Sequence, residues 1–333
     1  MQAPTLSTPT AAPTPRGSRG QAETLLRRLR LPVVGAPMFI ISVPDLVIAQ
    51  CKAGIVGSIP ALNARPKELL RDWIDQIKDA LTAHDAAHPE SPAAPFAVNQ
   101  IAHRSNERLG HDMQVIADAE VPIVIVSLAA PAEIFSAVHS YGGLVFNDVV
   151  SARHGRKCAE AGVDGLIAVC AGAGGHTGTQ SPFALVSEIR EFWDGPLGLG
   201  GAISTGRGIR AAQMLGADFA YIGTAFIASD EASAPAAYKD MVLGATAEDI
   251  VMSDRLTGVK ANFLRPSLEA QGIDYKAASE EKSALKAFGE EGASAKAWRD
   301  VWSAGHGVGS IRQRIPAADL VDQMRREYEA LSA

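Results

Sequence analysis

The chain reads as an α/β protein, a closed (β/α)8 barrel with an added helical lobe over the barrel mouth. Three observations predict this. Eight short apolar runs alternate with amphipathic stretches between Leu31 and Ala228. The runs are apolar on both faces, as strands of a parallel sheet covered by helices must be. The joint from helix to strand also recurs. "EAGVDGLI" (Glu160 to Ile167) and "MLGADFAYI" (Met214 to Ile222) both run helix end, Gly, Asp, strand, and "CKAGIVGSI" from Cys51 is a looser copy without the Asp. Eight such units in about 200 residues suit a closed barrel, with an open doubly wound sheet as the alternative.

Taken in order, the first stretch, "MQAPTLSTPTAAPTPRGSRG", is rich in Pro, Thr, Ser and Ala and buries too little surface to offset chain entropy. Residues 1–22 are therefore expected to be a disordered tail. The tail has no continuous apolar core, so it does not read as a secretory signal. Arg16 and Arg19, with no acid near them, leave an organelle-transit segment as the alternative. The strands follow as "LPVVGAPM", "GIVGSIP", "FAVNQI", "VPIVIVSL", "GGLVFNDVV", "GLIAVC", "PLGLGG" and "FAYIGTAFIA". Between them, Leu70, Trp73, Ile74, Ile77 and Leu81 fall on one helical face. "GRGIRAAQMLG" ends at Gly216, placed as a C′ glycine. Residues 231–313 show no β alternation and read as a helical lobe on the substrate side. A last helix begins near Pro316, with a stripe of Leu320, Val321, Met324, Tyr328 and Leu331. The barrel thus spans 23–230 plus 314–333.

Composition narrows the function. With 333 residues, 47% of them hydrophobic, the chain can bury a large core. A net charge of −6 with no long basic run argues against nucleic acid as a partner. No apolar stretch approaches the ~18 residues of a membrane span. Cys51, Cys158 and Cys170 show no metal-ligand spacing and read as reduced core thiols, which suits the cytoplasm. No metal site is expected.

The chemistry is expected at the C-terminal ends of the strands, where barrels bind ligands. The sixth strand leads into Gly172, Gly174, Gly175 and His176; the seventh into Gly200 and Gly201; the eighth into Gly223 and Thr224. Glycines after the last two strands expose backbone N–H groups that can converge on a phosphate, with Arg207 as an added charge. "GRGIRA" also matches a dinucleotide fingerprint, with Asp230 as the ribose acid. However, Gly206 falls five residues beyond Gly201 rather than at the strand end. A histidine among glycines at a strand end suits a general base or a hydrogen-bond donor, with room for a flat ligand beside it. His103 and His154 lie close enough to strand ends to reach the mouth, while His111 and His139 read as solvated. Asn99, Ser127, Asn147 and Asp148 are polar at other strand ends, and Met38 could pack its thioether on a planar ring.

From Leu31 to its C-terminus, the chain resembles the nitronate monooxygenases, also called 2-nitropropane dioxygenases. The motifs are "GAPM", "PFAVNQ", "AGGHTG", "LGLGGAISTGRGIRAAQMLGADFAYIGTAFIASDEA" and "WSAGHGVG". The resemblance implies an FMN-dependent TIM barrel acting on alkyl nitronates, and on nitroalkanes, as small-molecule substrates with O2. The flavin accepts an electron from the nitronate and reacts with O2, and the products are a carbonyl compound and nitrite. By the same resemblance Gly200, Gly201, Gly223 and Thr224 hold the FMN phosphate, and Gly174 and Gly175 belong to the cofactor loop. Met38 and Asn99 flank the ring, and His176 sits over the substrate as the catalytic residue. The alternative within the same barrel is an NAD(P)H-dependent FMN reductase of the quinone or enoyl-thioester type. Either enzyme is expected as a monomer or a homodimer.

Three departures from the family pattern stand out. His306 replaces the Gln of "AGQGVG". Asn147 and Asp148 stand where Lys or His is common, which makes the site less welcoming to negative charge. "TGTQSPFALVSEIREFW" reads as an insert after the histidine. Arg255, Lys260, Asn262 and Arg265 of the lobe are candidates to meet an anionic substrate.

Overall fold

The computed structural model describes residues 16–254, 256–275 and 300–331. Residues 1–15 of the expected tail, Arg255 and residues 276–299 of the expected lobe lie outside the described residues.

The eight apolar runs form eight parallel strands in one sheet. They are β1 (Val33–Gly35), β2 (Gly57–Pro60), β3 (Phe96–Ile101), β4 (Ile123–Ser127), β5 (Leu144–Val149), β6 (Gly165–Val169), β8 (Leu197–Gly200) and β9 (Phe219–Ile222). A two-residue strand, β7 (Gly175–His176), lies between β6 and β8 in the chain but outside this sheet. The sheet order is β1-β9-β8-β6-β5-β4-β3-β2. A parallel bridge between Val34 and Val56 joins the two ends, so the sheet closes into a barrel.

Helices α2 (Pro44–Lys52), α3 (Leu69–Ala87), α4 (Leu109–Asp118), α5 (Ala132–His139), α6 (Ala152–Glu160), α7 (Pro182–Arg190) and α8 (Gly206–Leu215) connect successive strands. In α3, Leu70, Ile74, Ile77 and Leu81 are buried as their spacing requires. Gly216 caps α8 at φ +110°, a backbone that glycine adopts without a Cβ penalty. The stretch read as an insert is in fact α7, the ordinary crossover from β6 to β8. Its Leu185, Val186 and Ile189 are buried against the sheet.

The barrel floor is filled from two sides. Phe146 and Phe219 stack at 5.7 Å between ring centres. Each lies over a glycine of the neighbouring strand: a Cβ on Gly165 would meet Phe146 at 2.9 Å, and one on Gly198 would meet Phe219 at 2.3 Å. Below them, Ala22 and Leu26 of α1 (Arg16–Arg27) enter the same apolar cluster. This corrects the tail expected through residue 22. From Arg16 the chain is helical because Ala22, Leu25 and Leu26 share a face that closes the floor.

The repeated helix-Gly-Asp-strand joint has a physical reason. Asp164 accepts from the Val145 amide at 2.7 Å and from His139 Nε2 at 2.8 Å. Asp218 accepts from the Leu197 amide at 2.8 Å and from Arg190 at 2.7 Å. In both copies the carboxylate ties an amide at the start of the previous strand to the end of the helix before that strand. His139 is therefore a partner of a buried carboxylate, not a solvated residue. His111 likewise pairs with buried Asp112 at 3.0 Å.

The segment after β9 corrects the expectation of a purely helical lobe. Alongside α9 (Ala236–Gly244) and α10 (Arg265–Ala270) it holds two strands, β10 (Ile250–Ser253) and β11 (Ala261–Leu264). These form a three-stranded antiparallel sheet with β7 in the order β10-β11-β7. The strands are four residues long, too short for alternation to show in sequence. The last helix, α11 (Ala317–Glu329), packs Val321 and Met324 inward and leaves Leu331 beyond it exposed.

"GRGIRA" is explained by this last helix rather than by a dinucleotide. A Cβ on Gly206 would lie 2.1 Å from the Met324 carbonyl, and the Gly206 amide donates to Glu327 at 2.8 Å.

Removing one joint carboxylate should separate its buried from its exposed form. Asp164→Ala leaves the buried Val145 amide without its acceptor and should cost ~1–3 kcal/mol. Asp218→Ala frees the Leu197 amide too, but at a half-exposed site where water can replace the carboxylate, and should cost less, about 1 kcal/mol. Thermal denaturation of both variants checks the order; equal losses would contradict it.

Candidate active site

At the C-terminal ends of the strands lies a cavity of about 530 Å³. Met38 after β1, Asn99 of β3, Gly174, Gly175 and His176 after β6, Gly200 and Gly201 after β8, and Gly223 and Thr224 after β9 all line it. The strand-end residues that the family resemblance assigns to catalysis and cofactor binding therefore face one space. The cavity wall is also where the backbone is bent. Leu128 and Ala202, which line it, and Ile40, between two lining residues, are non-glycine residues held at φ +75°, +56° and +61°.

His176 is fixed by the lobe. In the β7–β11 ladder it stands opposite Ala261, and Gly175 stands opposite Asn262. The Thr177 amide donates to the Lys260 carbonyl at 3.0 Å. Asn262 Nδ2 donates to the Ala173 carbonyl at 2.6 Å. Ser303 Oγ accepts from the Gly175 amide at 2.6 Å and donates to the Asn262 carbonyl at 2.5 Å. The Tyr238 hydroxyl donates to the Ser303 carbonyl and accepts from its amide. Burial pushes the imidazole down to about 4, so it is neutral across the physiological range.

The glycines around His176 serve backbone contacts more than a flat ligand. A Cβ on Gly174 would meet the Gly305 amide at 2.8 Å, and one on Gly178 would meet the Val169 carbonyl at 2.2 Å. A Cβ on Gly305 would strike the Gly172 carbonyl at 2.5 Å. The loops 172–178 and 303–307 therefore cross with nothing between them. His306 donates its amide to Gly172 at 2.9 Å, but its side chain is exposed and does not line the cavity. The Gln-to-His change thus leaves the cavity wall as it is.

Beside the histidine loop, where the Ala202 amide donates to the Gly172 carbonyl at 3.2 Å, the ends of β8 and β9 form a cradle. The Thr224 hydroxyl accepts from the Gly305 amide at 2.9 Å. Ser204 Oγ is buried without a hydrogen-bond partner among the described residues and borders the cavity. Arg207, expected to add charge here, is exposed on α8 and does not line the cavity.

A third wall is polar. Asn99 Nδ2 donates to the Ile125 carbonyl at 2.9 Å and to Ser127 Oγ at 2.8 Å. Ser127 Oγ in turn donates to Asp148 Oδ2 at 2.6 Å. Burial raises the Asp148 carboxyl to about 6 against the opposing pull of Ser127 and the Leu128 amide. Asn147 alternates to the outer face of β5, fully buried, and donates to the Asp148 carbonyl.

Of the lobe candidates, Lys260 reaches the cavity rim, whereas Asn262 spends its amide on Ala173. Arg265 is paired with Asp249 and Glu269 away from the cavity. His154 lines the cavity; His103 turns to Ser105 at 2.7 Å. Sequence reasoning missed Tyr238, Ser303 and Ser204. Ser204 and Ser303 stand inside motifs read for their glycines, and Tyr238 lies on α9 outside any motif; only the loop crossing shows what they do.

The neutral histidine has a consequence for stability. Its pKa is about 4 folded and near 6.5 unfolded, so the unfolded chain binds the proton more readily. Stability is unaffected above pH 6.5 and falls as pH drops from there toward 4. His176→Gln should remove this loss, about 3 kcal/mol at most, from the difference between pH 7.5 and pH 4. Denaturant titrations of both proteins at the two pH values check it.

The family model described as nitronate monooxygenase matches residues 22–327. A Mycobacterium tuberculosis chain described as a monooxygenase is 32% identical over 232 residues, 66% of this chain and 60% of that one. The nitronate monooxygenase of Paraburkholderia phytofirmans is 27% identical over 90% of this chain and 92% of its own. Among solved structures, FabK from Thermotoga maritima shares the fold with a TM-score of 0.77 at 24% identity, covering 94% of this chain and 96% of that one. Nitroalkane oxidase from Streptomyces ansochromogenes aligns with a TM-score of 0.72 at 25% identity, covering 92% of this chain and 98% of that one. The chain belongs to the nitronate monooxygenase family and is an oxidoreductase.

Proposed function

We propose that this chain is an FMN-dependent nitronate monooxygenase that oxidises alkyl nitronates, and nitroalkanes after loss of a proton, with O2 to carbonyl compounds and nitrite. One observation carries the reading: the neutral imidazole of His176, on a loop held by the β7–β11 ladder, lines the same cavity as a backbone cradle at the ends of β8 and β9.

The residues present fit an FMN. A phosphate suits the cradle. Gly201 and Gly223 leave its surface bare, and the buried Ser204 hydroxyl has a hydrogen bond still to make. The apolar stretch of wall, where a Cβ on Gly223 would meet the Met38 thioether at 3.5 Å, suits a planar ring. Bound there, the flavin supplies the electron acceptor and the means of reaction with O2.

The chain's own groups do the rest. Neutral His176 can take the α-proton of a nitroalkane, or steady a nitronate oxygen through a ring N–H. The ladder to β11 holds the imidazole in place, so little orientation is lost when substrate enters. Lys260 at the rim is the cation best placed to draw an anionic nitronate inward.

Anaerobic titration of the purified protein tests the reading. Propyl-2-nitronate should bleach the bound flavin spectrum, and NADH should not. Rapid bleaching by NADH and none by nitronate would instead make this a reductase. His176→Ala should lower kcat/KM for a neutral nitroalkane by about 10²–10⁴ while retaining flavin.

A further inference from the structure

The polar wall of β3, β4 and β5 has hydrogen bonds whose direction is forced. The Ile125 carbonyl only accepts, so the Asn99 nitrogen, not its oxygen, faces it at 2.9 Å. The same nitrogen reaches Ser127 Oγ at 2.8 Å. Ser127 has a single proton, and it goes to Asp148 Oδ2 at 2.6 Å. Both amide hydrogens of Asn99 are thus spent inside the wall. What Asn99 has left for the cavity it lines is Oδ1, an acceptor.

Asp148 stands beside it as the one acidic residue among the described cavity-lining residues. The groups around it offer no close cation. Ser127 on β4 and Ile167, its register partner on β6, carry no charge. α6 brings His154, whose pKa is lowered by burial and by Lys157, and Cys158, a buried thiol. β9 brings Tyr221, whose hydroxyl burial and Asp148 hold protonated. His176 is neutral, and the exposed Arg65 and Lys260 lie at the rim. In this setting the carboxyl keeps its proton into the mildly acid range. It then adds an O–H donor next to the Asn99 acceptor.

A flavin ring carries an imide edge, an N–H flanked by two carbonyls. A wall of acceptors alone would satisfy the N–H and turn a buried negative charge on a carbonyl lone pair, which is costly. A carboxylic acid next to an amide oxygen satisfies both. We propose that protonated Asp148 and Asn99 read the imide edge of the bound flavin, Asp148 donating to a ring carbonyl and Asn99 accepting the ring N–H. The proposal rests on the reading that this cavity binds FMN. It makes the residue that departs from the family pattern a cofactor contact whose proton is held by binding.

The sign follows directly. Flavin prefers the protonated carboxyl, so affinity is constant below pH about 6 and falls above it. The limiting slope is about tenfold per pH unit. The probe is riboflavin, because the FMN phosphate itself titrates near pH 6. Flavin-free protein is titrated with riboflavin, followed by fluorescence quenching, from pH 5.5 to 8, with FMN in parallel.

For the unmodified chain the riboflavin Kd should rise by at least about tenfold across this range. Asp148→Asn carries its donor permanently, with Ser127 donating to its Oδ1. Its Kd should be flat and within about threefold of the unmodified value at pH 5.5. Asp148→Ala should bind about tenfold more weakly at pH 5.5, also without slope. His154→Gln should keep the slope. A flat profile for the unmodified chain overturns the proposal, as does Asp148→Asn weakened as much as the Ala variant. In both cases FMN still binds and the functional reading stands. Failure of FMN and riboflavin to bind at any pH sinks both.

Discussion

The site depends on a two-residue ladder. His176 belongs to the barrel by sequence, since it follows β6, but to the lobe by hydrogen bonding, since Gly175 and His176 pair with Asn262 and Ala261. A loop after a barrel strand is ordinarily the mobile part of the fold. Here it becomes the edge of a second sheet. The histidine thus gains the positional precision of a strand residue, on the side of the barrel where loops do the chemistry. Asn262, Ser303 and Tyr238 reinforce the ladder from three separate segments of the lobe. None of them needs to touch a ligand to matter.

The glycines follow from the same constraint. If two loops must cross so that Ser303 can reach the Gly175 amide, their backbones must touch. Gly172, Gly174 and Gly305 stand where they do. A side chain at Gly305 would push 303–307 away from the loop and take Ser303 with it. "GGHTG" and "SAGHG", over 120 residues apart in the chain, are two halves of one contact. At position 306 the amide makes the contact to Gly172, while the side chain is exposed.

The barrel was legible in the sequence because its signals are local. Apolar runs, a C′ glycine and the Gly-Asp joint each report on a few neighbouring residues. The joint was visible as a repeat before its cause was. Asp164 and Asp218 bind an amide in the first two residues of the previous strand, and a pattern shows this without naming the partner. The cavity-lining residues that directly follow the strands were legible for the same reason. What could not be read was pairing across distance. β10 and β11 are too short to alternate, and α1 looked like tail because "RGSRGQAETLLR" is polar on all but the face it turns to the barrel floor. Asn262 was read as a ligand group because nothing in its neighbourhood announces Ala173, 89 residues away.

The cavity's electrostatics follow one logic. Two of its titratable groups, His176 and Asp148, are shifted in opposite directions by the same cause, loss of water. Both shifts favour the uncharged form, so the interior is polar yet close to neutral at mildly acid pH, while the fixed charges of Arg65 and Lys260 stay in solvent at the rim. Such an arrangement suits a large planar heterocycle, which offers hydrogen bonds without formal charge along most of its length. It also separates two tasks. The rim can attract an anion over a distance, and the interior can hold it without a competing countercharge. A cation beside Asp148 would ionise it and spoil the second task. A lysine on β5 could serve it differently, as a donor that needs no proton from solvent. The carboxyl in that place performs the same donation only while protonated, which ties the chemistry of this chain to pH in a way a lysine would not.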